Sequence, residues 1–175
     1  MSIQRIILVM LLFFISEGTI FYWILPDGLV GRVVPHFTLA FVLFAAMYRG
    51  RHSAVILGLS FGLLQDLAFY GRIIGVESFT FGLVGYLSGL LLENKRSTLL
   101  MALSMVGLFT FINDTVVHFI YRVFRLTSLS YEWAIFDHIL PSLFLQLLFS
   151  LLMYVPARRW FEGSLKKNKE DDDEK

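Results

Sequence analysis

Hydrophobic positions in this chain come in long blocks, and the polar positions that interrupt them fall in short clusters. A helix crossing a hydrocarbon core of about 30 Å needs about 20 mostly apolar residues. Blocks of that order predict six helices, at roughly 5–25, 33–48, 53–70, 76–92, 98–121 and 138–156. Pro26-Asp27-Gly28 and Pro35 mark the first loop, because proline lacks an N–H and fixes φ. Arg49-Gly50-Arg51-His52 separates the second block from the third, and Glu93-Asn94-Lys95-Arg96 the fourth from the fifth.

The polar residues left inside the blocks are spaced as helix faces. Gly58, Gly62 and Asp66 repeat every four positions in the third block, and Gly85-x-x-x-Gly89 recurs in the fourth with Gly82 and Ser88 nearby. Such spacing lines residues along one side of a helix, and small residues there let another helix approach closely. The fifth block carries Thr110, Asp114, His118 and Arg122, and the sixth His138, Ser142, Gln146 and Ser150. Run antiparallel, these two helices set His118 and Arg122 level with His138 and Ser142, and Thr110 level with Ser150. Two readings fit: a polar seam lining a cavity, or two helices satisfying each other by interhelical hydrogen bonds worth about 0.6 kcal/mol each. The second is the expectation.

Composition places these blocks in a membrane. The chain has 175 residues, of which 57% are hydrophobic and 17% charged, and its mean hydropathy is +0.69. No soluble catalytic domain fits beside the spans. The first block is long, carries Glu17 and lacks a small-residue cleavage site, so it does not read as a cleaved signal peptide. Placing both termini in the cytoplasm puts eleven Lys/Arg inside (Arg5, Arg49, Arg51, Lys95, Arg96, Arg158, Arg159, Lys166, Lys167, Lys169, Lys175). Four lie outside (Arg32, Arg72, Arg122, Arg125), and inner-side excess sets orientation. The domain boundary is expected near 160, with a spanning region over 1–160 and a disordered, charged cytoplasmic tail over 161–175.

Three acids, Glu17, Asp66 and Asp114, fall nearer the outer than the inner ends of the first, third and fifth helices. An ionisable group at mid-membrane costs about 2.5–3.5 kcal/mol on insertion scales, so each should face the bundle interior, a cavity or a partner. Their arrangement predicts a polar pocket or partner groove in the outer leaflet. No acid chain crosses the inner half to make a proton path.

Candidate chemistry is sparse. With no cysteine, disulfides, thiolate catalysis and Cys-based metal sites are excluded. Asp114-x-x-x-His118 has the spacing of two metal ligands on a helix, but no His-Glu-x-x-His pattern accompanies it. Neither a nucleophile elbow nor a nucleotide-binding glycine loop occurs. No enzyme, no cofactor, no metal and no nucleic-acid partner is expected.

The segment Gly58-Leu-Ser-Phe-Gly62-Leu63-Leu64-Gln65-Asp66-Leu-Ala-Phe-Tyr-Gly71, followed by Phe79-Thr-Phe-Gly82-Leu-Val-Gly85-Tyr-Leu-Ser-Gly89-Leu-Leu91, resembles the rod shape-determining MreD family. Pro141, Gln146 and Pro156 ahead of Arg158-Arg159 are similar to that family's closing stretch, although its amide is often Asn. The resemblance implies an all-α, six-span bundle in the bacterial plasma membrane, similar to the substrate-binding subunits of energy-coupling-factor transporters. It further implies a non-enzymatic subunit of the elongasome in peptidoglycan synthesis. The partners it implies are MreC, the MreB filament, RodA, a class B penicillin-binding protein and membrane lipid. A vitamin-capturing transporter subunit is the alternative, but the first span, Ile6 to Leu25, lacks the Ala-x-x-x-Ala docking patch usual there. Within the bundle Asp66 is expected to stabilise the core, with Glu17 and Asp114 next and His118, Arg122, His138 and Gln146 as partner-binding or structural polar positions. Gly58, Gly62, Gly82, Gly85 and Gly89 are the expected packing positions.

Overall fold

A computed structural model describes residues 3–19, 33–68, 73–92 and 98–173, with side chains as far as Phe161. The far end of the expected first helix, the Pro26-Asp27-Gly28 loop and the Glu93–Arg96 break lie outside the described residues. The described chain is all-helical: α1 (Ile3–Gly18), α2 (Phe37–Arg49), α3 (Arg51–Ala68), α4 (Val76–Leu92), α5 (Leu99–Val123) and α6, which runs from 131 to 173. In α6 a single turn, Tyr131–Ala134, leads into a π-helical stretch, Ile135–Ile139, and then a long helix, Leu140–Asp173.

The centre of the bundle is α2. Every residue from Phe37 to Met47 is buried, and α2 touches all the other helices. Its sequence explains this: a helix apolar on all sides must be enclosed. Thirteen residues reach about 20 Å, too short to cross about 30 Å of hydrocarbon. Around α2 the larger apolar core joins Ile6 and Met10 of α1, Phe61 of α3, Leu92 of α4 and Tyr154, Ala157 and Phe161 of α6. A second cluster joins Leu39 and Leu43 to Phe81 and Val84 of α4 and Val106 and Phe109 of α5.

The outer helices turn apolar side chains outward. Leu8 and Leu12 on α1, Ile56 and Leu67 on α3, Leu100 on α5 and Phe144 and Leu152 on α6 are all exposed. A water-facing surface of this kind would aggregate, whereas a lipid-facing one is stable. Two helical stretches, Leu99–Val123 and Tyr131–Phe161, are each long and apolar enough to cross a membrane. Shorter apolar helices are Ile6–Gly18, Phe37–Arg49 and Val76–Leu92.

The tightest pairing is α3 against α4, and glycine makes it possible. A Cβ on Gly62 would lie 2.5 Å from the Glu77 carbonyl oxygen, and one on Gly58 2.6 Å from that of Phe81. Gly85 approaches the Ala54 carbonyl and Gly89 the Arg51 Cα in the same way, at 2.9 and 2.5 Å. Gly82 meets a side chain instead, Leu59 Cδ2 at 2.7 Å. The two helices therefore touch backbone to backbone along their length, a contact that any larger residue would break.

Several boundaries differ from expectation for identifiable reasons. The second helix was expected from 33, but 33–36 is non-helical and α2 begins after Pro35-His36. The sixth helix was expected from 138 and begins at Tyr131. There Ser130 Oγ accepts from Trp133 N at 3.4 Å, a local cap in the loop sequence. The π-helical stretch that follows lies just before Pro141, whose ring has no N–H and crowds the carbonyl four residues back. At the other end the helix passes through Pro156 and reaches Asp173, so 161–173, expected as part of a disordered tail, is helical in backbone.

Candidate functional site: the polar end of the bundle

Buried polar groups gather at the end of the bundle where α2 and α4 begin. Both helices start without a capping residue of their own. His36 caps α2 without a side-chain hydrogen bond, and Gly75, at φ 100°, precedes α4. The first N–H groups of a helix have no intrahelical partner, and in a buried setting each needs one.

Two acids from neighbouring helices supply the acceptors. Asp66, 1% exposed on α3, takes hydrogen bonds from the backbone N–H of Gly75 at 2.8 Å, Glu77 at 3.3 Å and Ser78 at 3.2 Å. These are the donors that a local cap would satisfy, and a carboxylate also suits the positive end of the helix dipole. Glu17, at the end of α1, does the same for α2. It accepts from Thr38 N at 2.6 Å, Thr38 Oγ1 at 2.8 Å and Gln65 Nε2 at 2.5 Å. Gln65 precedes Asp66 on α3, so the two caps are linked through one amide.

The extended entry to α2 is held from the other side by α6. Ser142 Oγ accepts from Val34 N at 3.0 Å, and Gln146 Nε2 donates to the His36 carbonyl at 2.6 Å. The His36 ring lies 3.4 Å (Nε2) from Asp114 Oδ1 on α5, and Asn113 Nδ2 donates to the same oxygen at 3.2 Å. Residues 34–38 thus collect groups from α1, α5 and α6.

Beside this junction lies a cavity of about 420 Å³. His36, Glu77, Asp114, His118, His138 and Ser142 contribute its polar lining, with Tyr121 and Thr127, and Val34, Val117, Leu129, Ala134 and Ile139 its apolar wall. The His118 ring packs against that of Tyr131, with centroids 5.7 Å apart, and Tyr131 OH is 3.1 Å from Thr115 Oγ1. His138 Nε2 lies 3.6 Å from Asp137 Oδ2. Among the described residues no group of three His, Cys, Asp or Glu side chains is placed to hold a metal.

The expected site residues are therefore divided. Asp114, His118 and His138 share the cavity, Gln146 and Glu17 hold the α2 entry, and Asp66 caps α4. Of Glu17, Asp66 and Asp114, expected around one polar pocket or partner groove, Asp114 is the one that lines this cavity among the described residues. Arg122 stands on the exposed last turn of α5. The expected α5–α6 hydrogen bonds are not formed at Thr110 and Ser150. Both are buried, and neither hydroxyl has a partner among the described residues. Sequence reading missed His36, Thr38, Gln65 and Glu77. The available signal was the absence of a capping residue before two apolar helices, set against two intramembrane acids in need of donors.

Fold and site together define a helical membrane bundle whose buried acids brace helix starts. The model of the family of rod shape-determining protein MreD matches residues 2–162, nearly the whole chain, and the protein belongs to that family. Neither a curated protein nor a solved structure matches it. The protein accordingly has a role in determining rod shape, and its family is one of membrane proteins.

Proposed function

We propose that the protein is a non-enzymatic, multi-pass subunit of the elongasome, with both termini in the cytoplasm, that binds MreC and through it links the MreB filament to RodA and a class B penicillin-binding protein. Family membership over residues 2–162 is the observation that carries this reading. The buried acids agree with it. Asp66 accepts from three backbone N–H groups, and Glu17 from one backbone N–H and two side chains, which suits groups that fix a shape and not groups that turn over a substrate. In this reading the charge bias of eleven Lys/Arg against four sets the polar end toward the outside. Likeness to the substrate-binding subunits of energy-coupling-factor transporters belongs to the same proposal.

Affinity purification in mild detergent tests the assignment. Recovery of MreC is the expected result; recovery of a coupling ATPase in its place would favour a transporter subunit. A reporter fused after Lys175 should be active in the cytoplasm, and a periplasmic readout would reverse the topology.

A further inference from the structure

The helices do not end together at the polar end of the bundle. Consecutive spans run antiparallel, and Phe81 and Val84 of α4 pack in one cluster with Phe109 and Val106 of α5. That register brings the first turn of α4 level with Asp114, and Glu77 and Asp114 line the same cavity. The start of α2 is at this level too, since His36 Nε2 lies 3.4 Å from Asp114 Oδ1. From Asp114, however, α5 runs on through residues 115–123, which at about 1.5 Å each carry it about 13 Å past the start of α4.

The step carries apolar side chains with it. Phe119, Val123 and Phe124 at the end of α5, and Trp133 and Phe136 on α6, are exposed. Arg122 and Arg125, also exposed, mark where contact with hydrocarbon ends on that flank. Along α4 the limit is a full step lower. The turn at 73–75 is non-helical, and Gln65, Gly75, Glu77 and Ser78 at that end are only partly buried. A flat bilayer reaching to Arg122 would press hydrocarbon against this turn, where backbone outside a helix has no water to bond. Tilt does not remove the conflict. Levelling a 13 Å step between helices about 10 Å apart takes a lean of about 50°, outside the range of about 0–40° for membrane helices.

We propose that the bilayer is thinned along the α3–α4 flank, its surface dipping at the polar end from the level of Arg122 toward the turn before α4. The occupant of this flank is lipid, against which Leu63, Leu67, Phe79 and Leu90 are exposed. Its thickness is set by the helices: the 17 residues of α4 present about 25 Å, and the 25 residues of α5 about 37 Å. The proposal depends neither on the protein partners of the chain nor on which side of the membrane the polar end faces.

The test is spin-label depth in the full chain, reconstituted in dioleoyl phosphatidylcholine bilayers. With no cysteine in the sequence, single labelled sites need no background removed. Phe79→Cys on α4 and Phe119→Cys on α5 replace side chains that are 55% and 48% exposed. Phe79 is level with Phe111, so Phe119 stands about 12 Å nearer the polar end. Depth is read from relative collision rates with oxygen and with a water-soluble nickel chelate. The expected result is that the two labels lie within about 5 Å of the same depth, where a flat bilayer would leave the Phe79 label about 12 Å deeper. A larger difference in that sense, or a Phe79 label shielded from both reagents by covering protein, would overturn the proposal. Leu63→Cys and Val123→Cys form the second pair, used if either first variant does not fold. Leu63 is level with the start of α4 through the Gly62–Glu77 contact, and the same depth criterion applies.

Discussion

The α3–α4 hairpin and the α5–α6 pair begin from the same kind of pattern, polar or small residues at every fourth position, and come out opposite in character. On α3 and α4 the repeating residues are glycines, so the helices close until backbone meets backbone, and the one buried acid there, Asp66, accepts from three N–H groups at 2.8–3.3 Å. On α5 and α6 the repeating residues carry side chains that hold the helices apart. Thr110, Ser150 and His118 keep buried polar atoms without partners among the described residues, and a cavity opens at their polar end. Helix starts follow the same division. α5 and α6 are capped locally by Thr98 and Ser130, whereas α4 borrows Asp66. One pair is joined backbone to backbone, and the other leaves a cavity at its polar end.

The largest expected effect breaks the closed pair. In Gly62→Val the new Cβ lands 2.5 Å from the Glu77 carbonyl oxygen and 2.6 Å from Ser78 Cα. Backbone cannot swing aside as a side chain can, so α3 and α4 must separate and the Asp66 cap goes with them. Loss of about 3 kcal/mol or more is expected, above the usual overpacking cost of about 1–3 kcal/mol. SDS-titrated unfolding of the purified protein measures it. Gly82→Ala is the contrast: its neighbour is the Leu59 side chain, which can move, and the loss should be well under half as large.

Next comes the cap itself. Asp66→Leu leaves three backbone N–H groups buried without an acceptor, at about 1–3 kcal/mol for each group left unpaired, less whatever local relaxation recovers. Asp66→Asn keeps one carbonyl oxygen and should cost about 1–2 kcal/mol, in line with measured caps. Both proteins should still insert. Rod shape or complex recovery should fail in the Leu variant and partly survive in the Asn variant. Wild-type shape in Asp66→Leu would separate the cap from the function.

What the chain disclosed in advance follows the same division. Glycine spacing and a lone acid are local signals: they pointed to close approach by some other helix, and the structure has α4 against Gly58 and Gly62 and a buried Asp66. The helix each acid serves was not legible, because a borrowed cap pairs residues far apart in the chain: Glu17 with Thr38, and through Gln65 with α3. His36 looked like a loop residue beside Pro35, and its role comes from Asp114 and Gln146, some 80 to 110 positions away. Arg122 shares a four-residue spacing with His118, but spacing fixes only a direction around the helix. Its place in the last turn sets it beyond the cavity, on the exposed surface. The start of α6 was hidden because its π-helical stretch, 135–139, disrupts the regular period that sequence reading relies on.

The smallest effect is the most discriminating for the open pair. Thr110 is fully buried and Ser150 nearly so, and neither hydroxyl is paired among the described residues. If the seam were held by a hydrogen bond between them, Thr110→Val and Ser150→Ala would each cost about 0.6 kcal/mol, and the double variant would cost no more than either one. With both hydroxyls unpaired, removing one relieves a desolvation penalty and keeps most of the packing. Each single change is therefore expected to be neutral or stabilising by up to about 1 kcal/mol, with the two effects adding. Unfolding of the two single variants and the double in the same detergent decides between these. A non-additive loss would mean that α5 and α6 are stitched together like α3 and α4, and the contrast between the two pairs would disappear.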